Sequence, residues 1–240
     1  MNQLFTSVTG HSLQAEIRAP EGHLLQSLGE QVTRAEDITS LLIDWVSSPK
    51  WDIGAVYITH PHHYIHRTKM NERDQVSRKY GSSVRFYQHP YDARALFAYA
   101  AAVETLALVP YAKSVFQIPT IALLIQELKS SSWMDEQAQF AWLWISRERF
   151  SLSLFQDDKL LNHAIFNFRT AEDILYFLLF SLLEFGIDVK KCPVILAGDG
   201  SREASIQKML SGQCHLDHTF FQSPDDAFNF DLKLLRKCAS

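Results

Sequence analysis

The sequence has little cysteine: Cys192, Cys214 and Cys238 are the three in 240 residues. An odd count with no close pair argues against a disulfide framework and for a reducing compartment. No run of lysine and arginine stands out. A net charge of −4 and a pI near 6.2 supply no field to hold nucleic acid. Long apolar runs are missing as well. The most apolar stretch, Ile174–Leu183 followed by Phe185, is closed by Glu184 and Gly186. It reaches about half of the roughly 20 residues a membrane span needs, and so predicts a buried helix. Residues Met1–Ser7 lack a basic segment leading into an apolar one, so no signal peptide is expected. These absences predict a cytoplasmic protein with no membrane span and no nucleic-acid partner. Several catalytic signatures are missing too: no Gly-x-Ser-x-Gly, no His-Glu-x-x-His, no P-loop and no Gly-x-Gly-x-x-Gly.

What the chain does have is core material. Hydrophobic residues make up 47% and charged residues 21%, with sixteen Phe and five Trp. That composition folds rather than staying disordered. A chain this long buries roughly 70–75% of its unfolded surface without staples, as one large domain or as two packed halves.

The informative pattern is an internal echo. Thr33-Arg34-Ala35-Glu36-Asp37-Ile38 returns as Arg169-Thr170-Ala171-Glu172-Asp173-Ile174. Ahead of each copy lies a candidate hairpin, Ser12–Ala19 with His23–Val32, and Phe150–Phe155 with Leu160–Phe168. Phe150, Leu152 and Leu154 alternate with Ser151 and Ser153, the period of a half-buried strand. Each echo opens a helix. Thr33 with Glu36, and Thr170 with Asp173, have capping-box spacing, with acids in the first turn. The first helix runs to about Val46 with a stripe of Ile38, Leu41, Leu42 and Trp45. The second is apolar nearly all round, which predicts burial on every side. A short Val- and Ile-rich strand follows each, Ile53–Thr59 and Pro193–Ala197. Four elements in one order at a near-constant offset predict a structural repeat.

Between the copies, Asp92–Leu106 is Ala-rich and predicts a helix. Ser114–Ile118 predicts a strand, and Pro119–Ser130 a helix with proline at its first position. After the second copy, Glu203–Leu210 reads as a helix, His215–Phe221 as a strand and Ala227–Lys237 as a docking helix. The expected organisation is a first, divergent lobe over 1–113, a connecting helical segment over 114–135, and a second lobe over 136–240.

The order strand, strand, strand, helix, strand, helix, present twice, resembles the actin-like ATPase fold of actin, hexokinase-type sugar kinases and Hsp70 chaperones. Val115-Phe116-Gln117-Ile118-Pro119, the run Asn167–Phe177, and Leu196-Ala197-Gly198-Asp199 are similar to the bacterial family called domain of unknown function 3822. The resemblance implies an α/β chain with the actin-like (ribonuclease H-like) fold: two similar lobes, each a mixed sheet flanked by helices. It also implies where nucleotide chemistry would sit. Active members of the fold use two Gly-rich hairpin turns with an Asp near each for magnesium and phosphate, and a third Gly-rich turn for adenosine. The first turn here, Val8-Thr9-Gly10-His11-Ser12, has one Gly and no Asp. The second, Ile145-Ser146-Arg147-Glu148-Arg149-Phe150, has neither, and its bulky side chains obstruct close backbone approach. The third, Gly198-Asp199-Gly200-Ser201, keeps its pattern, and it also reads as a plain strand-to-helix turn.

ATP is therefore the candidate cofactor. Gly198, Asp199, Gly200, Ser201, Arg147 and Arg149 are its candidate ligands, the two arginines as phosphate partners or as a solvated turn. No catalytic residue is nominated, and hydrolysis is not expected. The retained architecture with degraded phosphate turns points to a non-catalytic scaffold whose partner is another protein. A nucleotide-binding protein or phosphotransferase is the alternative.

Other clusters were weighed for metal. His60, His62, His63 and His66 are the strongest group, but Pro61 interrupts regular structure and no Cys is near, so a polar surface loop is the plainer reading. Cys214-His215 with His218 is weaker, because strand alternation sends His215 and His218 to opposite faces. Asp157-Asp158 and Asp225-Asp226 read as turn or cap residues. Trp133, Phe140, Trp142 and Trp144 read either as a partner surface or, for the same-face pair Trp142 and Trp144, as core.

Overall fold

The computed structural model describes residues 1–9, 12–31, 35–60, 66–81, 84–88, 95–130, 138–146, 148–157, 159–198, 200, 203–217 and 230–239. The chain divides into two compact units: Met1–Gln126 together with Asp231–Ser240, and Glu127–Phe230.

The first unit opens with strands β1 (Asn2–Thr9), β2 (Ser12–Arg18) and β3 (Leu24–Gln31), helix α1 (Ala35–Ser47) and strand β4 (Ile53–Thr59). A smaller module follows. It holds β5 (His66–Lys69), α2 (Arg73–Tyr80), β6 (Val84–Gln88) and β7 (Ala95–Ala100), paired in the order β5-β7-β6. Helix α3 (Val103–Leu108), strand β8 (Ser114–Gln117) and helix α4 (Thr120–Ser130) come next. The main sheet runs β3-β2-β1-β4-β8. Ile38, Leu42 and Val46 of α1 close one face of it against Leu4, Leu13, Ile17, Val56 and Ile58. Gln117 ties the small sheet to the large one. Its side chain donates to the Ala100 carbonyl and accepts from the Ala102 N–H, both at 3.0 Å, while its carbonyl accepts from the Tyr99 hydroxyl.

One expectation is overturned here. Residues 95–100 form the central strand of the small sheet, and helix appears only from Val103. Ala95, Leu96, Phe97, Ala98 and Tyr99 are all buried. Pairing on both sides outweighs the helical preference of their alanines.

The second unit holds β9 (Gln139–Ile145), β10 (Arg149–Gln156), β11 (Lys159–Asn167), α5 (Ala171–Glu184), β12 (Pro193–Ala197), α6 (Ala204–Ser211) and β13 (His215–Leu216). Its sheet runs β11-β10-β9-β12-β13, the same pattern as the first. The echo extends to register. Leu4 pairs with Val56 as Ala141 pairs with Val194, and Val8 pairs with Leu13 as Ile145 pairs with Phe150. Ile38, Leu42 and Val46 are buried in α1, and Ile174, Leu178 and Leu182 at the matching positions of α5.

Helix α5 starts as its sequence predicts. The Asp173 carboxylate accepts from the backbone N–H groups of Arg169 (2.8 Å) and Thr170 (3.1 Å), and these bonds hold its pKa below the usual value. The matching Thr33 lies outside the described residues. The helix stops at Gly186, φ 68°, where Gly186 and Ile187 donate to the carbonyls of Leu183 and Leu182. The expectation of burial on every side does not hold for α5, because its outer face is open. The other face of this sheet is packed with Phe140, Trp142, Trp144 and Phe155, and Phe230 lies on Trp142 at 5.3 Å. Those tryptophans are core; Trp133 lies outside the described residues.

The final helix, α7 (Phe230–Ala239), buries Leu232, Leu234 and Leu235, and Arg236 bonds Glu16 of the first unit at 3.2 Å. Among the described residues no helix is long and apolar enough to cross a membrane.

Candidate functional site

The second unit presents two of the three turns at which the actin-like fold handles nucleotide, at the ends of the adjacent strands β9 and β12. The β9–β10 turn is closed by Ser146, whose N–H and hydroxyl both donate to the Arg149 carbonyl (2.8 and 3.0 Å). Arg149 is exposed at the start of β10, opposite Asn167. Arg147 lies outside the described residues.

Strand β12 runs parallel to β9, with Ala197 opposite Trp144, and the chain then enters Gly198 at φ 90°. Only glycine adopts that conformation without strain. Space is as tight as geometry. A Cβ on Gly198 would collide with the Ile145 carbonyl oxygen and stand 3.0 Å from the Trp144 indole nitrogen, and one on Gly200 would collide with Cγ2 of Ile145. Both glycines are buried. The side on which a Cβ would stand is thus occupied by Ile145 and, at Gly198, Trp144 of the neighbouring strand. The Glu203 N–H then donates to the Gly200 carbonyl at 3.1 Å, leading into α6. Asp199 and Ser201 lie outside the described residues.

In the first unit, the register that matches Val56 to Val194 puts His60 where the second has Gly198. His60 is buried at the end of β4. That corrects the reading of His60 as part of a surface loop: it is the buried residue directly after a core strand. His66 opens β5, in a different sheet, and His62 and His63 lie outside the described residues. Among the described residues no three His, Cys, Asp or Glu side chains are placed to hold a metal ion. Gly10 and His11 of the first turn also lie outside the described residues.

As a cradle for magnesium-bound triphosphate these residues fit poorly. The second turn has neither Gly nor Asp, and the Cβ side of the third turn's glycines is filled by Ile145 and Trp144.

Two features escaped the sequence. Ser153 Oγ and His163 Nδ1 are 2.8 Å apart across β10 and β11, and burial pushes the His163 pKa down to about 3. A base that weak does not activate a serine near neutral pH, so the pair is a partly buried cross-strand hydrogen bond. Cys192 and Cys214, far apart in sequence, directly precede the paired residues Pro193 and His215. Both are free thiols, and burial raises their pKa values, that of Cys192 to about 12. That makes them inert packing residues.

Two lobes with one strand order, each a mixed sheet carrying helices, define an actin-like ATPase fold. Comparison with solved structures agrees. A Bacteroides thetaiotaomicron protein with an actin-like ATPase fold and unknown function superimposes with TM-score 0.74 at 14% identity, over 99% of this chain and 96% of its own. The PilM–PilN type IV pilus biogenesis complex gives 0.62 at 14% identity, over 98% and 97%. A Listeria monocytogenes protein described as a candidate N-acetylmannosamine kinase gives 0.51 at 8% identity, over the whole of both chains. At these identities the likeness is one of fold. More narrowly, the model of the family "Protein of unknown function (DUF3822)" matches residues 57–212, and the chain belongs to that family. No curated protein sequence matches the chain significantly.

Proposed function

We propose that this chain is a non-catalytic member of the actin-like fold that works in the cytoplasm as a protein-interaction or assembly scaffold. The observation that carries the reading is the packing of the second unit's glycine turn, where Ile145 lies so close to Gly198 and Gly200 that neither has room for a Cβ, beside a second turn with neither Gly nor Asp. The fold shared with PilM, seen in complex with PilN, supports a protein partner by analogy.

A thermal melt with and without millimolar Mg·ATP tests it. A ligand at 100 times its dissociation constant stabilises by about 2.7 kcal/mol. For a chain of this size that moves the midpoint by roughly 5–10 °C. No shift is expected. A reproducible rise would favour the alternative, a nucleotide-binding protein or phosphotransferase, for which the retained glycine turn and the exposed Arg149 speak.

A further inference from the structure

Helix α5 has an outer face that the fold does not require. Tyr176, Phe180 and Leu183 lie along it at spacings of four and three residues and are 62%, 53% and 78% exposed; Phe185, just past its end, is 38% exposed. The rings of Tyr176 and Phe180 stack on each other at 6.2 Å. The repeat supplies an internal control. In α1 the positions matching Tyr176, Phe180 and Leu183 hold Ser40, Asp44 and Ser47, exposed in the same way. The two helices share a burial pattern, so this face of the fold is satisfied by small polar groups. In α5 all three are large and apolar.

We propose that this face pairs with the same face of a second copy of the chain, the two α5 helices antiparallel about a two-fold axis near Phe180. Two observations select a second copy. The face is self-complementary: with Phe180 at the axis, Tyr176 of one copy lies against Leu183 of the other, as an isologous contact requires. Its area suits a dimer. At about 200 Å² per large side chain, the four residues expose about 460 Å². A standard interface takes about 800 Å² from each partner, and homodimer interfaces are about 65% apolar. The stripe and the half-buried edges of Phe177 and Leu179 therefore supply most of an apolar centre.

This inference does not rest on the scaffold reading. A chain that bound ATP could pair in the same way, and a chain that failed to pair could still be a scaffold.

Sedimentation equilibrium of the full chain tests it. A monomer–dimer equilibrium with a dissociation constant in the micromolar range is expected. Phe180→Asp, the residue α1 carries, should raise that constant at least ~30-fold and leave the far-UV circular dichroism and melting midpoint of the monomer unchanged. A wild-type chain that stays monomeric at about 100 μM overturns the proposal, as does a dimer indifferent to Phe180→Asp.

Discussion

At the scale of single residues, Ile145 and Gly200 act as a pair. The glycine is there because the isoleucine is. Gly200→Ala should cost about 1–3 kcal/mol through overpacking. Ile145→Ala should cost about 2–5 kcal/mol through the cavity it leaves. Because the second change removes the atoms the first runs into, the double variant should cost at least about 1 kcal/mol less than the sum of the two. Urea denaturation of the four proteins measures this, and additive losses would show that Ile145 does not set the need for glycine. His163 allows a pH test. Its folded pKa, about 3, lies below its ordinary 6.5. Between those values the unfolded chain binds the extra proton, so stability is full above pH 6.5 and is lost as pH falls. By pH 5 the loss reaches about 2 kcal/mol. His163→Asn, which keeps a partner for Ser153, should flatten that part of the profile; an unchanged slope would place its origin elsewhere. The Ser153–His163 pair was not legible because of a bulge. Regular continuation from Phe155 opposite Leu160 would set Ser153 against Asn162. A register shift at Leu154/Phe155 moves it to His163.

At the scale of elements, legibility follows how much of the outcome is local. Strands Ile53–Thr59 and Pro193–Ala197 are bounded by turn residues and apolar throughout, and the structure reproduces both ranges. The start of α5 was legible because a cap is a four-residue affair, closed by Asp173 on its own backbone. Residues 95–100 were misread because their state is decided by partners: β5 and β6 come from chain to either side that carries little strand signal. The outer face of α5 was misread for a related reason. An apolar residue tells of a surface to be covered, and Tyr176, Phe180 and Leu183 do not say whether this chain or another does the covering. Only the polar counterparts in α1, equally exposed, make them stand out. The glycine turn was visible as a turn, but the contact that explains it pairs Gly200 with a side chain some fifty residues earlier, and spacing alone does not reveal that.

At the scale of the whole molecule, the duplication was the clearest message of the sequence, and shared strand order and register now support it. Less visible was that the first unit is discontinuous, since α7 returns to it after the second unit is complete. Leu232, Leu234 and Leu235 are buried, at about 2 kcal/mol each. Removing residues 231–240 should therefore cost about 6 kcal/mol, much of the 5–15 kcal/mol that holds a typical domain. Limited proteolysis of the shortened chain should cut first within residues 1–126 and spare 127–230. Equal susceptibility of both regions would show that α7 is not integral to the first unit.

That discontinuity also sets an order of events on the ribosome. The unit begun first is the unit finished last, because about a hundred residues must be translated between Gln126 and the helix that completes it. At about 5–20 residues per second the nascent amino-terminal half waits some seconds with an unfinished surface, while Glu127–Phe230 already has every strand it needs. Newly made chains should therefore be most vulnerable to aggregation, and most dependent on chaperones, in the portion synthesised earliest.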